Sequence, residues 1–485
     1  MPCLFPISLG ALRLERGSSG QFQRDGTGTD GFDLHAPLRE LLHELGIGRS
    51  LLLLASTHAI LAAAALRPGR PRTAAVAAAA AVLVLVATVA APRFGSVLLP
   101  SMVGPGGGPE RLLAYHESPA GTVVVSEEPA TGVRSMHVDS NAVIGTTAEA
   151  LKVVRLLGLV PVVLHPAPER VLVIGFGAGV TTATVLGSPA VRDVEVVEIV
   201  PAVVAGASHF AAFNHDPLGD PRARLSLNDG RNHLLLAEGA YDAITCDPVH
   251  PLLGSAPLYS LDFFRLCRSR LAPGGVMCQY LPLHRMPTDA FRRAIATFQD
   301  AFPETWVLFS LGHAVLVGRD RPLDLDWQLW SERLATHRLV DDLAASALAA
   351  PAQIAALLQL DPEGCRAIGV GPPSTVLHPR LEFLAPAAYQ PGLWAANAKI
   401  LVEGYRSPLD RIRNLPEGME AELRRLVAGK RLLLFAMLER DRGDLDGTLV
   451  WLRRALQVAG DDPEVVDFAR QVEAESRGPR GRGRG

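Results

Sequence analysis

The chain changes its hydrophobic period as it runs. From Arg111 to Val138 apolar and polar residues alternate in the short stretches LLAYHES, GTVVVSEE and GVRSMHVD, broken by Pro-Ala-Gly and Pro-Ala-Thr-Gly turns, which predicts a small antiparallel sheet. A helical period over Thr147–Leu157 leads to VLVIGFGAG at Val171–Gly179. Its four apolar residues (Val171–Ile174) suit a central parallel strand covered on both faces, and Gly175, Gly177 and Gly179 let the backbone turn sharply into a helix. Strand and helix patterns then alternate through DVEVVEIV, ARLSLND, YDAITCD and GGVMCQYL to the late pair ETWVLFSL and AVLVGR. This predicts a doubly wound α/β sheet of the Rossmann type. The helix pattern over Leu258–Leu271 stops at Ala272-Pro273-Gly274-Gly275.

Outside this core the pattern predicts a poorly structured leader (residues 1–46) and two apolar runs, Leu51–Leu66 and Ala74–Ala91, separated by the turn RPGRPR. The runs read as a transmembrane helical hairpin over residues 47–95, although the first falls short of the ~20 residues that span a bilayer. Arg67, Arg70 and Arg72 favour a cytoplasmic turn, whereas a cytosolic cofactor requires the large domain there; the second argument places the protein in the cell membrane with its large domain in the cytoplasm. The remaining boundaries are a β-domain at 110–145, a Rossmann-like domain at 146–322, a helical region at 323–475 and a basic, disordered tail at 476–485. Near the end two helix patterns joined at Gly443-Asp444 resemble one tetratricopeptide-like pair, which cannot bury its apolar face alone and so caps the domain or docks a partner.

Composition removes several alternatives. A 48% hydrophobic content over 485 residues supports a sizeable core, and a net charge of −3 gives no electrostatic reason to expect nucleic acid. Five scattered cysteines without a C-x-x-C pair support neither a disulfide framework nor a zinc site. No metal is expected.

The candidate chemistry lies at the carboxyl ends of the predicted strands, where open α/β sheets bind ligands. The glycine turn offers free N–H groups at a helix start, and Glu198 ends the second strand, where a carboxylate can accept ribose hydroxyls. Asn228-Asp229-Gly230-Arg231 ends the third strand, with Asp229 an adenine acceptor or a helix cap. Asp247 ends the fourth, where burial can raise a carboxyl toward the working range of a base. Trp306, Trp327 and Trp330 read as packing.

The runs VLVIGFGAG, VEIVP, NDGR, YDAITCDPVHP and LYSLDFFRLCRSRLAPGGVMCQYLPL resemble the spermidine synthase superfamily, and specifically a bacterial branch fused to a membrane-spanning, transporter-like region. The resemblance covers about Leu112 to Pro386, and on it the chain is an N-terminally truncated member, with LGIGRSLLLLA similar to one membrane helix of that branch. It implies a small β-domain on a methyltransferase-like Rossmann domain and the transfer of an aminopropyl group from decarboxylated S-adenosylmethionine to an amine, without a metal. It also implies Glu198 at the ribose, Asp229 and Gly230 at the adenine and Asp247 as base; His250, a neutral acceptor or a mere cover of the loop, and Tyr259 at the loop's end are the candidate substrate-binding residues. The expected partners are a small amine, a second copy of the chain in a homodimer, a protein docked at the helical C-terminus, and the membrane.

Three positions depart from the family's pattern. Ala178 stands in place of an Asp in the glycine turn, His250 in place of the second Asp after the base, and Val143 in place of a substrate-binding Gln. Losing two carboxylates forfeits charge-assisted hydrogen bonds of ~1.5–3 kcal/mol each. Two alternatives follow, methyl transfer from S-adenosylmethionine and a non-catalytic nucleoside-binding module.

Overall fold

A computed structural model describes residues 57–58, 110–118, 120–139, 141–248, 254–310, 312–323, 325–388 and 390–477. The predicted leader, almost all of the predicted hairpin, and most of the basic tail lie outside these residues. Among the described residues no helix is long and apolar enough to cross a membrane. The expectation of a membrane protein is corrected on that finding. Long apolar helical sequence does occur in the described part, as α1 (Ala148–Leu164), but there it is spent on the core: every residue from Leu151 to Leu164 is buried within the protein.

The alternating stretches at the start form strands β1 (Arg111–Ser118), β2 (Gly121–Glu128) and β3 (Val133–Val138), and a further strand, β4 (Asn141–Gly145), completes an antiparallel sheet in the order β1-β2-β3-β4. β4 escapes the sequence pattern because five residues are too few to show a period. Val123, Val125 and Met136 bury one face of this sheet, and the cluster they join includes Val200 and Val203 of the large domain. The small sheet is thereby fixed over the edge of the larger one.

The central sheet contains β5 (Arg170–Ile174), β6 (Asp193–Glu198), β7 (Ala223–Leu227), β8 (Tyr241–Cys246), β9 (Leu271–Pro282), β10 (Glu304–Ser310), β11 (His313–Arg319) and β13 (Leu358–Leu360), in the order β13-β10-β11-β9-β8-β5-β6-β7. β12 (Leu325–Asp326) pairs separately with β14 (Ile412–Arg413). The strands from β9 to β7 are parallel, and β11, β10 and β13 add antiparallel pairs at the other edge. β5 shows why four apolar residues in a row belong at the centre. Leu172 and Ile174 enter one hydrophobic cluster, Val171 and Val173 another, and none exceeds 3% exposure. Burial of each contributes ~1.5–3 kcal/mol.

Helices α2 (Val180–Gly187), α3 (Pro201–Gly206), α4 (Gly230–Leu236), α5 (Leu261–Arg270), α6 (Thr288–Ala301), α7 (Trp327–Ala335), α8 (Val340–Ala345) and α9 (Leu393–Glu403) follow along the chain. α10 (Met419–Asp441) and α11 (Leu445–Ala459) are the predicted helical pair, joined where Gly443 takes φ 78° and Asp444 caps α11 through a bond from Gly447 N. The pair does not stand alone. Leu423, Leu426 and Val427 of α10 join the large core cluster, and Val465 and Phe468 of α12 (Pro463–Arg477) close the other side.

The contact between this helical region and the sheet is ionic as well as apolar. Lys152 of α1 and Lys430 of α10 both reach the carboxylate of Glu464 on α12, Lys430 also bonds Asp462 at 2.8 Å, and Ser310 at the end of β10 donates to Glu464 at 2.9 Å. Lys152 and Glu464 are 3% and 6% exposed, so each charge depends on the other for compensation.

Candidate active site

Parallel pairing carries four strand ends to one edge and then continues past them. Gly175 N donates to Val197 O at 2.8 Å, Asp247 N to Ile174 O at 2.9 Å and Asn228 N to Glu198 O at 3.0 Å. A cavity of about 610 Å³ opens over this edge, lined by Gly175, Gly177, Glu198, Asp229, Gly230 and Asp247. The facing wall comes from the small antiparallel sheet, through Val138, Asp139, Asn141 and Val143.

The glycine turn has a separate reason at each position. Gly175, Gly177 and Gly179 take φ of 90°, 53° and 81°, which a side chain makes costly. A Cβ at Gly175 would stand 2.8 Å from Asp247 O, and one at Gly179 would stand 2.9 Å from the Phe176 ring, whereas at Gly177 the nearest atom is Val143 Cγ1 at 3.8 Å. Gly177 therefore presents open backbone to the cavity. Gly179 caps α2 behind it and is absent from the lining.

Glu198 is 7% exposed and held from two sides, with Oε2 accepting from Phe176 N at 2.9 Å and Oε1 from Val200 N at 2.8 Å. An ionised carboxylate has further lone pairs, so a carboxylate fixed in this way can still receive ligand hydroxyls. Asp229 lines the cavity and also caps α4, its Oδ1 accepting from Asn232 N at 2.9 Å. The helix-cap reading is the geometry observed, with the residue also at the cavity wall. At Gly230 a Cβ would lie 2.5 Å from Ile174 Cγ2, which excludes any side chain without movement.

Asp247 differs from these two acids. Desolvation pushes its carboxyl up to about 7, against which a bond from Thr181 Oγ1 at 3.5 Å has little weight. The same hydroxyl has a shorter acceptor in Val154 O of α1 at 3.1 Å. A half-buried acid titrating near neutrality at the end of a strand, in a cavity, can exchange a proton with a bound group.

Tyr259 is fully buried and donates its hydroxyl to Tyr280 O at 3.1 Å, behind the lining rather than in it. His250 lies outside the described residues. Ala178 is 3% exposed and belongs to the core cluster, and Val143 presents an apolar surface to the cavity. Sequence reasoning did not single out Asp139, Asn141 or Val376, all of which line the cavity. Asp139 sits in the tight turn after β3 and Asn141 opens β4, where polar residues are ordinary, and Val376 arrives from the helical region by tertiary packing alone. Among the described residues no group of three or more His, Cys, Asp or Glu side chains is arranged to hold a metal ion.

Residues 151–309 match the Spermine/spermidine synthase domain family, a span that includes the glycine turn, Glu198, Asp229 and Asp247 and omits the small sheet and the C-terminal helices. The polyamine aminopropyltransferase of Nitrosomonas europaea is 31% identical over 194 residues, 39% of this chain and 58% of that protein. Putrescine N-methyltransferase 1 of Nicotiana tabacum is 32% identical over 138 residues, 28% of this chain and 37% of that protein. The polyamine aminopropyltransferase of Moorella thermoacetica is 25% identical over 267 residues, 52% of this chain and 92% of that protein. The chain thus spans less than two thirds of the first two relatives. All three are transferases by name, two for an aminopropyl group and one for a methyl group.

Proposed function

We propose that the cavity binds an adenosyl sulfonium donor and an amine, and that the protein transfers an aminopropyl group from decarboxylated S-adenosylmethionine to the amine, as in polyamine biosynthesis. The observation that carries this reading is Asp247, raised to about 7 at the same cavity edge as Glu198 and Asp229. In the proposed reaction Glu198 receives the ribose hydroxyls, Asp229 and the backbone of Gly230 receive the adenine, and Gly175 and Gly177 allow close approach of the donor. Asp247 takes the proton of the attacking ammonium, the amine nitrogen bonds to carbon, and the carbon–sulfur pair leaves with the sulfur. Because a sulfonium is already a good leaving group, alignment and electrostatic preorganisation account for most of the rate. His250 and Tyr259 remain candidates for the acceptor side, Tyr259 through its contact with Tyr280 rather than by direct contact. The test is release of methylthioadenosine when the protein is incubated with decarboxylated S-adenosylmethionine and a panel of amines; no release with any of them overturns the reading.

A second reading, methyl transfer from S-adenosylmethionine, has an observation of its own. Ala178 supplies no carboxylate to select a donor with a purely cationic tail, and a methyltransferase is among the relatives. Titration calorimetry with each donor separates the two: tighter binding of the carboxylated donor favours methyl transfer.

A further inference from the structure

Among the described residues Asp139, Glu198, Asp229 and Asp247 are the carboxylates that line the cavity, against one cation, Arg231. That balance attracts a cationic amine, but the charge is unevenly placed. In the reaction proposed above the nucleoside covers Glu198 and Asp229. Asp139 stands in the exposed turn after β3, its Oδ1 already accepting from Thr122 N at 2.8 Å. Among the described residues Asp247 is thus the one acid left at the reacting end.

What an amine meets beside that acid is apolar. Ala178 in the glycine turn belongs to the core cluster and carries no polar side-chain atom. On the facing wall Met136 pairs with Ile144 and His137 with Ala142, which leaves Val143 between them as the unpaired residue of a bulge. The bulge aims Val143 at the glycine turn, with Cγ1 3.8 Å from the place a Gly177 Cβ would occupy. The Thr181 hydroxyl is committed to Val154 O at 3.1 Å. Cys246, Tyr259 and Tyr280 feel the charge of Asp247, and burial above all holds the three of them neutral. A carboxylate close to Asp247 would raise it by repulsion; among the described residues none does, and burial is the cause.

We infer that the acceptor is an amine with a single cationic nitrogen and an apolar remainder, and that Val143 is the surface on which the remainder packs. The inference rests on the reaction proposed above and holds for either donor. The charges close only for such an acceptor. Its ammonium gives a proton to Asp247, which leaves both groups neutral. The nitrogen then bonds to the donor carbon, the carbon–sulfur pair stays with sulfur, and the sulfonium charge passes to the new secondary ammonium. A diamine of equal length would hold a second ammonium against Val143 throughout, with no carboxylate to replace the water it has lost. An aminopropyl donor already brings one tail ammonium into this space, so a further cation finds no anion left.

The test uses the full chain with each donor and compares butylamine and benzylamine with putrescine and cadaverine, thioether release giving kcat/KM for each. The monoamines should exceed the diamines by about tenfold or more. Val143→Gln should narrow that ratio severalfold, because the amide oxygen can accept from a second ammonium, while calorimetry with methylthioadenosine shows that the variant still binds the nucleoside. Diamines used as well as the monoamines, or better, overturn the inference while the proposed reaction stands; if Asp139→Asn then removes the diamine preference, the second charge is read at the rim of the cavity. An unchanged ratio in Val143→Gln with nucleoside binding intact overturns the role of Val143. Absence of thioether release from the unmodified protein with every amine and both donors overturns the reaction and the inference together.

Discussion

Two buried carboxylates in this protein meet opposite fates, and their neighbours explain why. Asp247 at the cavity edge has, among the described residues, a single long side-chain contact, from Thr181, and desolvation moves its carboxyl up to about 7. Glu464, under the C-terminal helices, is removed from water more completely, yet the ammonium groups of Lys152 and Lys430 hold it well below the ordinary carboxylate range. Burial alone thus makes neither a base nor a structural anion. What decides is whether a countercharge is at hand: among the described residues two ammonium groups reach Glu464 and none reaches Asp247.

The largest expected effect tests the unpartnered acid. Asp247→Asn keeps the shape and removes the proton acceptor, so turnover measured by thioether release should fall by a factor on the order of 10²–10⁴. Glu464→Gln should instead act on stability, because it leaves two buried ammonium groups without their anion; denaturant unfolding should show a loss of ~3–5 kcal/mol. A value near zero would mean that water reaches those lysines.

The two acids should also give stability slopes of opposite sign with pH. For Glu464 the folded pKa is depressed, so its contribution is present above the unfolded value near 4.5 and is lost as pH falls below it. For Asp247 the folded pKa is raised, so the folded state loses stability as pH rises from about 4 toward 7. Asp247→Asn should therefore be the more stable protein at pH 8, with the difference shrinking as pH falls toward 4. Activity should follow the ionised base, with kcat/KM rising about tenfold per pH unit below about 7 and levelling above it.

Smaller effects come from the glycines that shape the cavity. Gly230→Ala must move Ile174 or α4, since the added carbon would lie 2.5 Å from Ile174 Cγ2, and overpacking of this kind costs ~1–3 kcal/mol. Gly177→Ala makes only an ordinary contact with Val143 Cγ1 at 3.8 Å and bears the strain of φ 53°, about 1 kcal/mol. Calorimetry with methylthioadenosine should show the larger loss of affinity for Gly230→Ala.

The same contrast marks what was legible in the sequence. The β5 strand, the glycine turn and the strand-end acids could be read because each is local: a period, a conformational demand, or a position at the end of an apolar run. The wall formed by Asp139 and Asn141 could not, since a polar turn in a small sheet looks the same whether it faces solvent or a cavity. Nor could the 2.9 Å contact between Tyr280 and His313, which strand pairing brings together. The apolar N-terminal runs invited a membrane reading because hydropathy alone does not distinguish lipid from protein as the burying phase; α1 shows the same kind of sequence enclosed by protein.

The pairing of Lys152 with Glu464 spans 312 residues. At a synthesis rate of ~5–20 residues per second, the interval between the two is roughly 15–60 s, which is long beside the formation of helices and hairpins. For the last third of that time, once β13 at Leu358–Leu360 has been made, the central sheet and α1 are complete in sequence while a lysine destined for the interior has no anion. The nascent protein must therefore keep that surface wet, or covered by a chaperone, until α12 emerges and brings the anion to the buried lysine.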